Sequence, residues 1–311
     1  MIVEKNKFAA IVTECDYEND ADKIRELIGD CRVVVVRNND PVPPETLVSF
    51  YKTIGEVVSQ NTKVKGNVAG HGELIKVRKN GLFSGEEDGE LEWHSAGMNR
   101  KGHDDVVVMY MHQNAESGGN TFFSDSQTAF ADLDDNTKDI LRNIKSKIVT
   151  YNAKLKLEQM YYKRIFSDEQ TMMEFKDIDG QNSFEKQTPR KDLVTTHPIN
   201  NKEGLYFPWT VIRGFSGISK DAQHNLYYKL KKHTQDEKYV YEHEWNNYDI
   251  CFSDQHHSLH KREAYTGDRE LWRAGIWYRD EEVKGKVDET IEYRDHQAGS
   301  YDEWSCESLI K

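Results

Sequence analysis

The sequence contains two separated stretches around which the rest of the chain is organised: LEWHSAGM at residues 91–98 and DQHHSLHKR at residues 254–262. Each stretch carries a histidine, His94 or His260, beside strand-like residues. Two histidines and one carboxylate are a known protein face for Fe(II), and this face leaves coordination positions open for other ligands. We therefore predict that the two stretches form the two halves of one iron site.

The first stretch lacks the carboxylate of such a face. An acidic ligand usually stands two residues after the first histidine, and here that residue is Ala96. Glu92 and Asp104 are near in sequence but do not have this spacing. An alanine cannot coordinate a metal, and a buried cation that lacks an anion is costly. A chloride or bromide ion at the open position would supply both the charge and the ligand.

Composition excludes several classes of protein. The 311 residues are 37% hydrophobic and 31% charged, with a formal net charge of −12, so duplex nucleic acid is not an expected partner. Residues 1–7 do not form a secretory signal and no apolar run is long enough to span a membrane, so the expected location is the cytosol. The four cysteines are scattered and contain no CxxC pair, which favours reduced thiols.

The order of predicted elements favours a mainly β fold with helical decoration, namely a β-sandwich or jelly roll, over a parallel α/β sheet. Strands are predicted at residues 31–38, 74–78, 106–113, 121–123, 204–208, 248–253 and 271–278. Helices are predicted from Pro43 to about Val57, in two segments after residue 123, and over residues 220–232. The second of the two middle helices begins at Asp135 or Asn136 as N-cap and continues to Ile148.

The chain is predicted to form a single domain over residues 1–311. Residues 58–72 and 79–90 are expected to be loops. Residues 151–192 are rich in aromatic residues and methionine and follow no clean period, which fits either a lid over a site or a packed helical insertion. Residues 281–311 form an acidic, weakly patterned tail.

A series of motifs resembles the taurine dioxygenase (TauD/TfdA-like) family of Fe(II)- and 2-oxoglutarate-dependent oxygenases, in the family's order from about residue 30 to 280. The matching segments are Trp93-His94-Ser95, residues 116–125 (ESGGNTFFSD), residues 195–198 (TTHP) with 204–206 (GLY), residues 248–250 (YDI) with 254–262, and residues 268–273 (DRELWR). Each segment is weak alone, but their collinearity is specific. The resemblance implies a double-stranded β-helix (jelly-roll) core.

The resemblance also implies roles for individual residues. His94 and His260 would be the iron ligands. Thr121 and either Arg269 or Arg273 would hold the distal carboxylate of 2-oxoglutarate, because an arginine fork matches a carboxylate. The other arginine would face an anionic substrate. The implied cofactors are Fe(II), 2-oxoglutarate and O2, and the oligomeric state stays open, although relatives often form dimers or tetramers.

The substrate is expected to be a small polar or amino-acid-like metabolite. Arg78, Ser95, Asn99 and the aromatic residues of 151–175 are the candidates for contacting it, because they lie near a ligand in sequence or within an insertion that could cover the site.

Three functions remain open at this point. Halogenases related to these oxygenases have Ala or Gly at the position of Ala96, which favours a halogenase with bound chloride or bromide. A hydroxylase or desaturase of the same family would need water or Glu92 to replace the carboxylate, or would be an engineered Asp-to-Ala form. A non-enzymatic descendant would bind a small anion without turning it over.

Overall fold

The computed structural model describes residues 1–57, 66–79, 88–95, 104–148, 164–167, 170–173, 190–209, 212–278 and 291–292. The first half of the chain has these elements: β1 Ile2–Asn6, β2 Ala9–Thr13, α1 Ala21–Cys31, β3 Val33–Val36, α2 Pro44–Ile54, β4 Glu56–Val57, β5 Asn67–Val68, β6 His71–Arg78, β7 Leu91–His94, β8 Val106–Gln113, β9 Ser117–Gly118, β10 Thr121–Asp125, α3 Ser126–Ala131, α4 Asp135–Arg142 and β11 Lys145–Ile148.

In the described part of the second half, six short strands precede one long helix. Its elements are β12 Arg164–Ser167, β13 Gln170–Met173, β14 Arg190–Asp192, β15 Val194–Thr196, β16 Glu203–Leu205, β17 Ile212–Ser216, α5 Lys220–Thr234, a 3₁₀ turn at Glu237–Tyr239, β18 Val240–His243, β19 Ile250–Asp254, β20 Ser258–Arg262, β21 Tyr265–Thr266, β22 Glu270–Trp277 and β23 Ile291–Glu292.

The largest sheet has the strand order β1-β2-β3-β19-β8-β22-β6-β5, with β4 paired to β22. Its pairs are antiparallel except β2 with β3. Both faces of this sheet are covered, which explains the run of four valines in β3. Val33 and Val35 face one apolar cluster, whereas Val34 and Val36 face another. A strand buried on both faces needs no polar alternation.

Two helices cover the outer face of the large sheet. The buried side chains of α2 are Leu47, Val48, Phe50, Tyr51 and Ile54, which follow helical spacing. Pro44 lies in its first turn, where the missing N–H costs nothing. Helix α1 packs into the same cluster through Ile24, Leu27 and Ile28. The helix predicted from Pro43 is therefore confirmed, although Val57 belongs to β4.

The inner face of the large sheet packs against a second antiparallel sheet with the order β18-β10-β20-β7. One apolar cluster joins residues of both sheets, including Met109 and Leu271 from the large sheet and Phe123, Tyr241 and Trp245 from the side of the small sheet. Alternate residues of the small sheet, such as Trp93 and Leu259, face a third cluster that contains residues of α3 and α5. The predicted mainly β fold with a jelly-roll core is confirmed.

Several predicted boundaries are wrong. Helix α4 is capped by Asp134, whose side chain accepts from the backbone N–H of Thr137, and it ends at Arg142. Residues 145–148 instead form β11, which pairs with β14 and β17, so long-range strand pairing overrides the local helical spacing. The predicted loop at 58–72 contains β5 and the first residues of β6, and residues 58–65 lie outside the described part.

The insertion at 151–192 is described only in part. Its described residues form β12, β13 and β14, and the predicted lid stays a prediction because the rest lies outside them. The same holds for the tail at 281–311, of which β23 alone is described, and for the single-domain prediction. No helix in the described ranges is both long and apolar enough to cross a membrane.

Candidate functional site

The two histidines predicted to bind iron meet between adjacent strands. His94 ends β7, and His260 is its register partner in β20. Their ring centroids are 4.2 Å apart. Directly paired residues in antiparallel strands point to the same face of a sheet, so the register itself brings the two rings together. The structure therefore joins two residues that are far apart in the sequence.

The hydrogen bonding of His94 fixes its tautomer. Its Nδ1 lies 2.7 Å from the carbonyl oxygen of Glu92. A carbonyl only accepts, so the neutral ring carries its proton on Nδ1 and keeps the lone pair on Nε2. Metal-bound histidines are commonly oriented in this way, with the second ring nitrogen donating to a carbonyl or carboxylate.

His260 is buried, with 8% of its surface exposed, and its Nδ1 has no hydrogen-bond partner among the described residues. Burial lowers the pKa of His260 well below its usual value, and the charges of His94 and Arg273 act in the same direction. The ring is therefore neutral at physiological pH. A neutral imidazole with a buried, unpaired nitrogen suits metal coordination.

Thr121 lies on the same inner face of the small sheet. In β10 it is the register partner of Arg262 in β20 and of His243 in β18. Phe123, two residues later, pairs with His260. The hydroxyl oxygen of Thr121 accepts a hydrogen bond of 2.9 Å from the indole nitrogen of Trp245. Thr121 is thus buried near the histidine pair, and its hydroxyl oxygen already accepts one hydrogen bond from Trp245.

Arg269 is the more deeply buried of the two predicted arginines. Its exposure is 5%, and its Nε has no hydrogen-bond partner among the described residues. A Cβ on Gly119 would come within 3.3 Å of that Nε, so the glycine leaves room for the guanidinium. Burial lowers the pKa of Arg269 to about 10, and the nearby charge of Arg262 contributes. Arg269 therefore remains a cation whose Nε has no partner within the described ranges.

Arg273 has an acidic partner. In β22 it pairs with Met109 of β8 and lies two residues after Leu271, so it shares the inner face of the large sheet. Its Nη2 donates to Asp104 Oδ2 at 2.6 Å. The two side chains are 21% and 13% exposed, which leaves this ion pair accessible at the edge of the interior.

Sequence reasoning assigned no role to Arg262, although its register places it beside Thr121. Arg262 is 8% exposed, and its guanidinium lies 4.9 Å from the ring centroid of Tyr265. Arg269 lies against the same ring at 5.6 Å. The available signal was strand periodicity, because Arg262 follows His260 by two residues and must share its face.

The remaining predicted residues lie in different surroundings. Ser95 is buried next to His94. Arg78 is an exposed residue whose Nη1 donates to Glu270 at 3.2 Å. Ala96 and Asn99 lie outside the described residues. In the described ranges, no group of three or more His, Cys, Asp or Glu side chains is arranged to hold a metal ion.

Comparisons with solved structures agree on the architecture. A taurine dioxygenase from Burkholderia xenovorans superposes with a TM-score of 0.68 at 16% identity, covering 100% of this chain and 99% of its own. AAD-2 in complex with Mn(II) and N-oxalylglycine gives 0.66 at 20% identity, with coverage of 89% and 97%. PvcB, an Fe, α-ketoglutarate-dependent oxygenase from an isonitrile synthetic pathway, gives 0.61 at 16%, with coverage of 88% and 87%. At these identities the likeness shows the fold.

The sequence itself gives the family. No curated protein matches the chain significantly. The model of the taurine catabolism dioxygenase TauD, TfdA family matches residues 9–274, which include both histidines, Thr121 and both predicted arginines. The chain therefore belongs to the TauD, TfdA family of Fe(II)- and 2-oxoglutarate-dependent oxygenases.

Proposed function

We propose that this protein is an Fe(II)/2-oxoglutarate-dependent halogenase that acts on an unactivated C–H bond of a small polar or amino-acid-like metabolite. The pairing of His94 with His260 at a ring-centroid distance of 4.2 Å, together with Ala96 two residues after His94, carries the proposal. Two imidazoles converge, and the usual place of the third ligand has no carboxylate.

The described residues fit an iron ion. His94 presents Nε2 because its Nδ1 faces the Glu92 carbonyl, and His260 has a buried nitrogen without a hydrogen-bond partner among the described residues. Two neutral histidines bring no negative charge, so a metal dication there needs anions from elsewhere. A halide at the position left open by Ala96 would supply one of them. Iron with 2-oxoglutarate and O2 supplies the oxidising power that removes a substrate hydrogen atom.

The cosubstrate 2-oxoglutarate fits Arg269, for which the described part of the chain provides no acidic partner. Arg269 is buried beside Gly119, and Thr121 lies on the same inner face as His260. An arginine buried without an anion is unfavourable, and a carboxylate offsets this cost through charge-assisted hydrogen bonds. We therefore assign the distal carboxylate of 2-oxoglutarate to Arg269 and Thr121, and we leave Arg273 to the substrate.

The ion pair between Arg273 and Asp104 favours a zwitterionic substrate over a simple anion. Asp104 already balances the charge of Arg273 at 2.6 Å, so a sulfonate or carboxylate alone would compete with this carboxylate. An amino acid could bind both partners, since its carboxylate matches Arg273 and its ammonium matches Asp104. The role of the protein is then to hold the reacting C–H bond nearer to the halide than to the oxygen.

The proposal is tested by measuring whether the halide in the buffer is incorporated into the product. The protein is reconstituted anaerobically with Fe(II) and 2-oxoglutarate in chloride, bromide or halide-free buffer, and is then exposed to oxygen with a panel of amino acids. We expect succinate, CO2 and a product in which chlorine, or bromine in bromide buffer, replaces one hydrogen, as seen by mass spectrometry. The same hydroxylated product in all three buffers would overturn the proposal.

A hydroxylase is the second candidate. Structures named as a taurine dioxygenase and as an Fe, α-ketoglutarate-dependent oxygenase share the fold, and neither name refers to halogenation. In that case water or another group would occupy the position beside Ala96, and no halide would enter the product. Tight metal binding without any conversion of 2-oxoglutarate would instead indicate a non-enzymatic anion-binding protein.

A further inference from the structure

His243 is a buried histidine beside the threonine that we assign to 2-oxoglutarate. It is the register partner of Thr121 across strands β18 and β10, and it is 1% exposed. Directly opposed residues of antiparallel strands point to the same face, with their Cβ atoms about 5 Å apart. The side chain of His243 therefore begins on the inner face of the small sheet, next to Thr121.

The imidazole ring of His243 packs against Trp245. The two ring centroids are 4.5 Å apart and the rings are inclined at 76°, which is an edge-to-face arrangement. Aromatic pairs prefer this geometry to a face-to-face sandwich. Because the indole nitrogen of Trp245 donates to the Thr121 hydroxyl at 2.9 Å, the position of the imidazole affects where that donor points.

Two polar groups hold the imidazole at its nitrogens. Nε2 lies 3.4 Å from Oδ2 of Asp249, and Nδ1 lies 3.4 Å from the hydroxyl oxygen of Tyr241. A carboxylate only accepts, so the neutral ring carries its proton on Nε2, and Nδ1 accepts from Tyr241. Burial lowers the pKa of His243, although Asp249 acts in the opposite direction, and burial raises the pKa of Tyr241. The ring is therefore held neutral and in one tautomer.

The carboxylate of Asp249 is fixed in turn. Its side chain is fully buried, and it accepts from Arg37 Nε at 3.2 Å and from Arg37 Nη2 at 3.1 Å. It also accepts from the backbone N–H of Asn246 at 3.0 Å, one residue after Trp245. Asp249 thus contacts both the backbone beside Trp245 and the imidazole that packs on its indole.

We propose that His243 is a positioning residue for the cosubstrate. It holds the indole of Trp245 in the orientation that directs the Thr121 hydroxyl toward the distal carboxylate of 2-oxoglutarate. The inference rests on the proposed cosubstrate site and adds a residue that acts on it through Trp245, without touching 2-oxoglutarate. The effect of His243 is therefore confined to ligands that carry the distal carboxylate.

A role of His243 in packing alone predicts a different outcome. Trp245 is also held by its backbone, because its carbonyl oxygen accepts from Asn114 Nδ2 at 2.7 Å. If the backbone alone fixed the indole, replacing His243 would lower stability but would not distinguish between ligands of the metal. Two ligands that differ at the distal carboxylate, combined with a double-mutant cycle, separate the two cases.

The test measures ligand binding to the Mn(II)-loaded protein by calorimetry, without turnover. The ligands are N-oxalylglycine, a dicarboxylate analogue of 2-oxoglutarate, and N-ethyloxamate, in which a methyl group replaces the distal carboxylate. The variants are His243→Phe, His243→Gln, Trp245→Phe and the double variant His243→Phe with Trp245→Phe. The matched control is His233→Phe, since His233 of α5 also lies edge-on to an aromatic ring, at 5.1 Å from Tyr239, but faces the Ala129 carbonyl of α3.

We expect His243→Phe to weaken N-oxalylglycine binding by about two- to tenfold and to leave N-ethyloxamate binding unchanged, because the ring loses the contacts that orient it. His243→Gln removes the ring and should show the same selective loss, so it carries the test if His243→Phe does not fold. In the Trp245→Phe background, His243→Phe should have no further effect. His233→Phe should change neither affinity.

Three results would overturn this inference alone: equal weakening of both ligands, an unchanged affinity of the His243 variants for N-oxalylglycine, or additive losses in the double variant. Failure of the wild type to bind N-oxalylglycine would overturn the proposed cosubstrate site itself.

Discussion

The indole nitrogen of Trp245 donates a hydrogen bond of 2.9 Å to the hydroxyl oxygen of Thr121. A hydroxyl has one hydrogen and accepts through its lone pairs, so this bond directs the Thr121 hydrogen away from Trp245. The Thr121 hydroxyl can then donate to a carboxylate that is bound beside Arg269, as proposed for 2-oxoglutarate. In the proposed cosubstrate site, Trp245 would therefore act as a positioning residue for Thr121 without touching 2-oxoglutarate itself.

Trp245→Phe should weaken N-oxalylglycine binding to the Mn(II) protein by about two- to tenfold, because Thr121 loses the bond that orients its hydroxyl. The matched control is Trp272→Phe, since Trp272 donates to Glu270 and packs on the other face of the large sheet. Calorimetry on both variants checks the prediction. An equal loss of affinity in the two variants would show a general packing effect instead.

Gly119→Ala should strain the backbone and also displace the side chain of Arg269. Gly119 has φ +80°, and a Cβ there would meet Arg269 at 3.3 Å. Gly70 has φ +81° with nothing within 4 Å, so Gly70→Ala reports the backbone strain alone. Each alanine should cost about 1–2 kcal/mol of unfolding free energy, measured in urea. Only Gly119→Ala should also weaken N-oxalylglycine binding, and equal affinities in the two variants would contradict this account of the pocket.

Lys191 should make stability rise with pH. Burial lowers the pKa of Lys191 from 10.5 to about 7, although Asp105 and Asp254 act in the opposite direction. Between these values the unfolded chain binds more protons than the folded one, so the unfolding free energy increases with pH by up to about 1.4 kcal/mol per unit. Urea unfolding from about pH 7 to pH 9 measures the slope. Lys191→Met should reduce it, whereas Lys229→Met, at an exposed position of α5, should not.

His94→Ala and His260→Ala should each abolish stable Fe(II) binding, because the paired rings are the two protein ligands that we assign. Loss of one of two ligands should lower metal affinity by at least about a hundredfold, and metal content after anaerobic dialysis measures it. His112→Ala is the control, since His112 is an exposed histidine stacked on Trp272 at 4.4 Å. Retention of iron by either site variant would show that the metal lies elsewhere.

The sequence predicts the parts of this fold whose signals are local. The strand over Val106–Gln113 has the predicted bounds, because an uninterrupted apolar run suits a strand with both faces covered. The helix from Lys220 is also present, and it extends to Thr234. The prediction that the helix continues to Ile148 is wrong because the signal that decides this segment is not local. Residues 145–148 pair with strands that lie far away in the sequence, and no local pattern reports such partners.

The order of motifs in the sequence indicates the candidate site. The proposed roles of its individual residues depend on burial and on contacts that only the folded structure provides. Sequence spacing alone could not assign different roles to Arg269, which immediately precedes β22, and Arg273, which lies within it. The proposed assignment is supported by the deeper burial of Arg269 and by the 2.6 Å bond from Arg273 to Asp104, which belongs to a different segment. Trp245 contacts Thr121 through a side-chain hydrogen bond from a residue outside the matching segments, so no motif indicated it.

The most direct test of the central claim compares the wild type with Ala96→Asp in chloride buffer, with Fe(II), 2-oxoglutarate, oxygen and the same metabolite panel. A halide bound beside Ala96 requires the small side chain, and an aspartate would supply both the charge and the ligand in its place. We predict a chlorinated product from the wild type, and a hydroxylated product without chlorine from Ala96→Asp. A wild type that is inert or only hydroxylates, combined with a gain of hydroxylation in Ala96→Asp, would contradict the halogenase and identify Ala96 as a lesion in a hydroxylase.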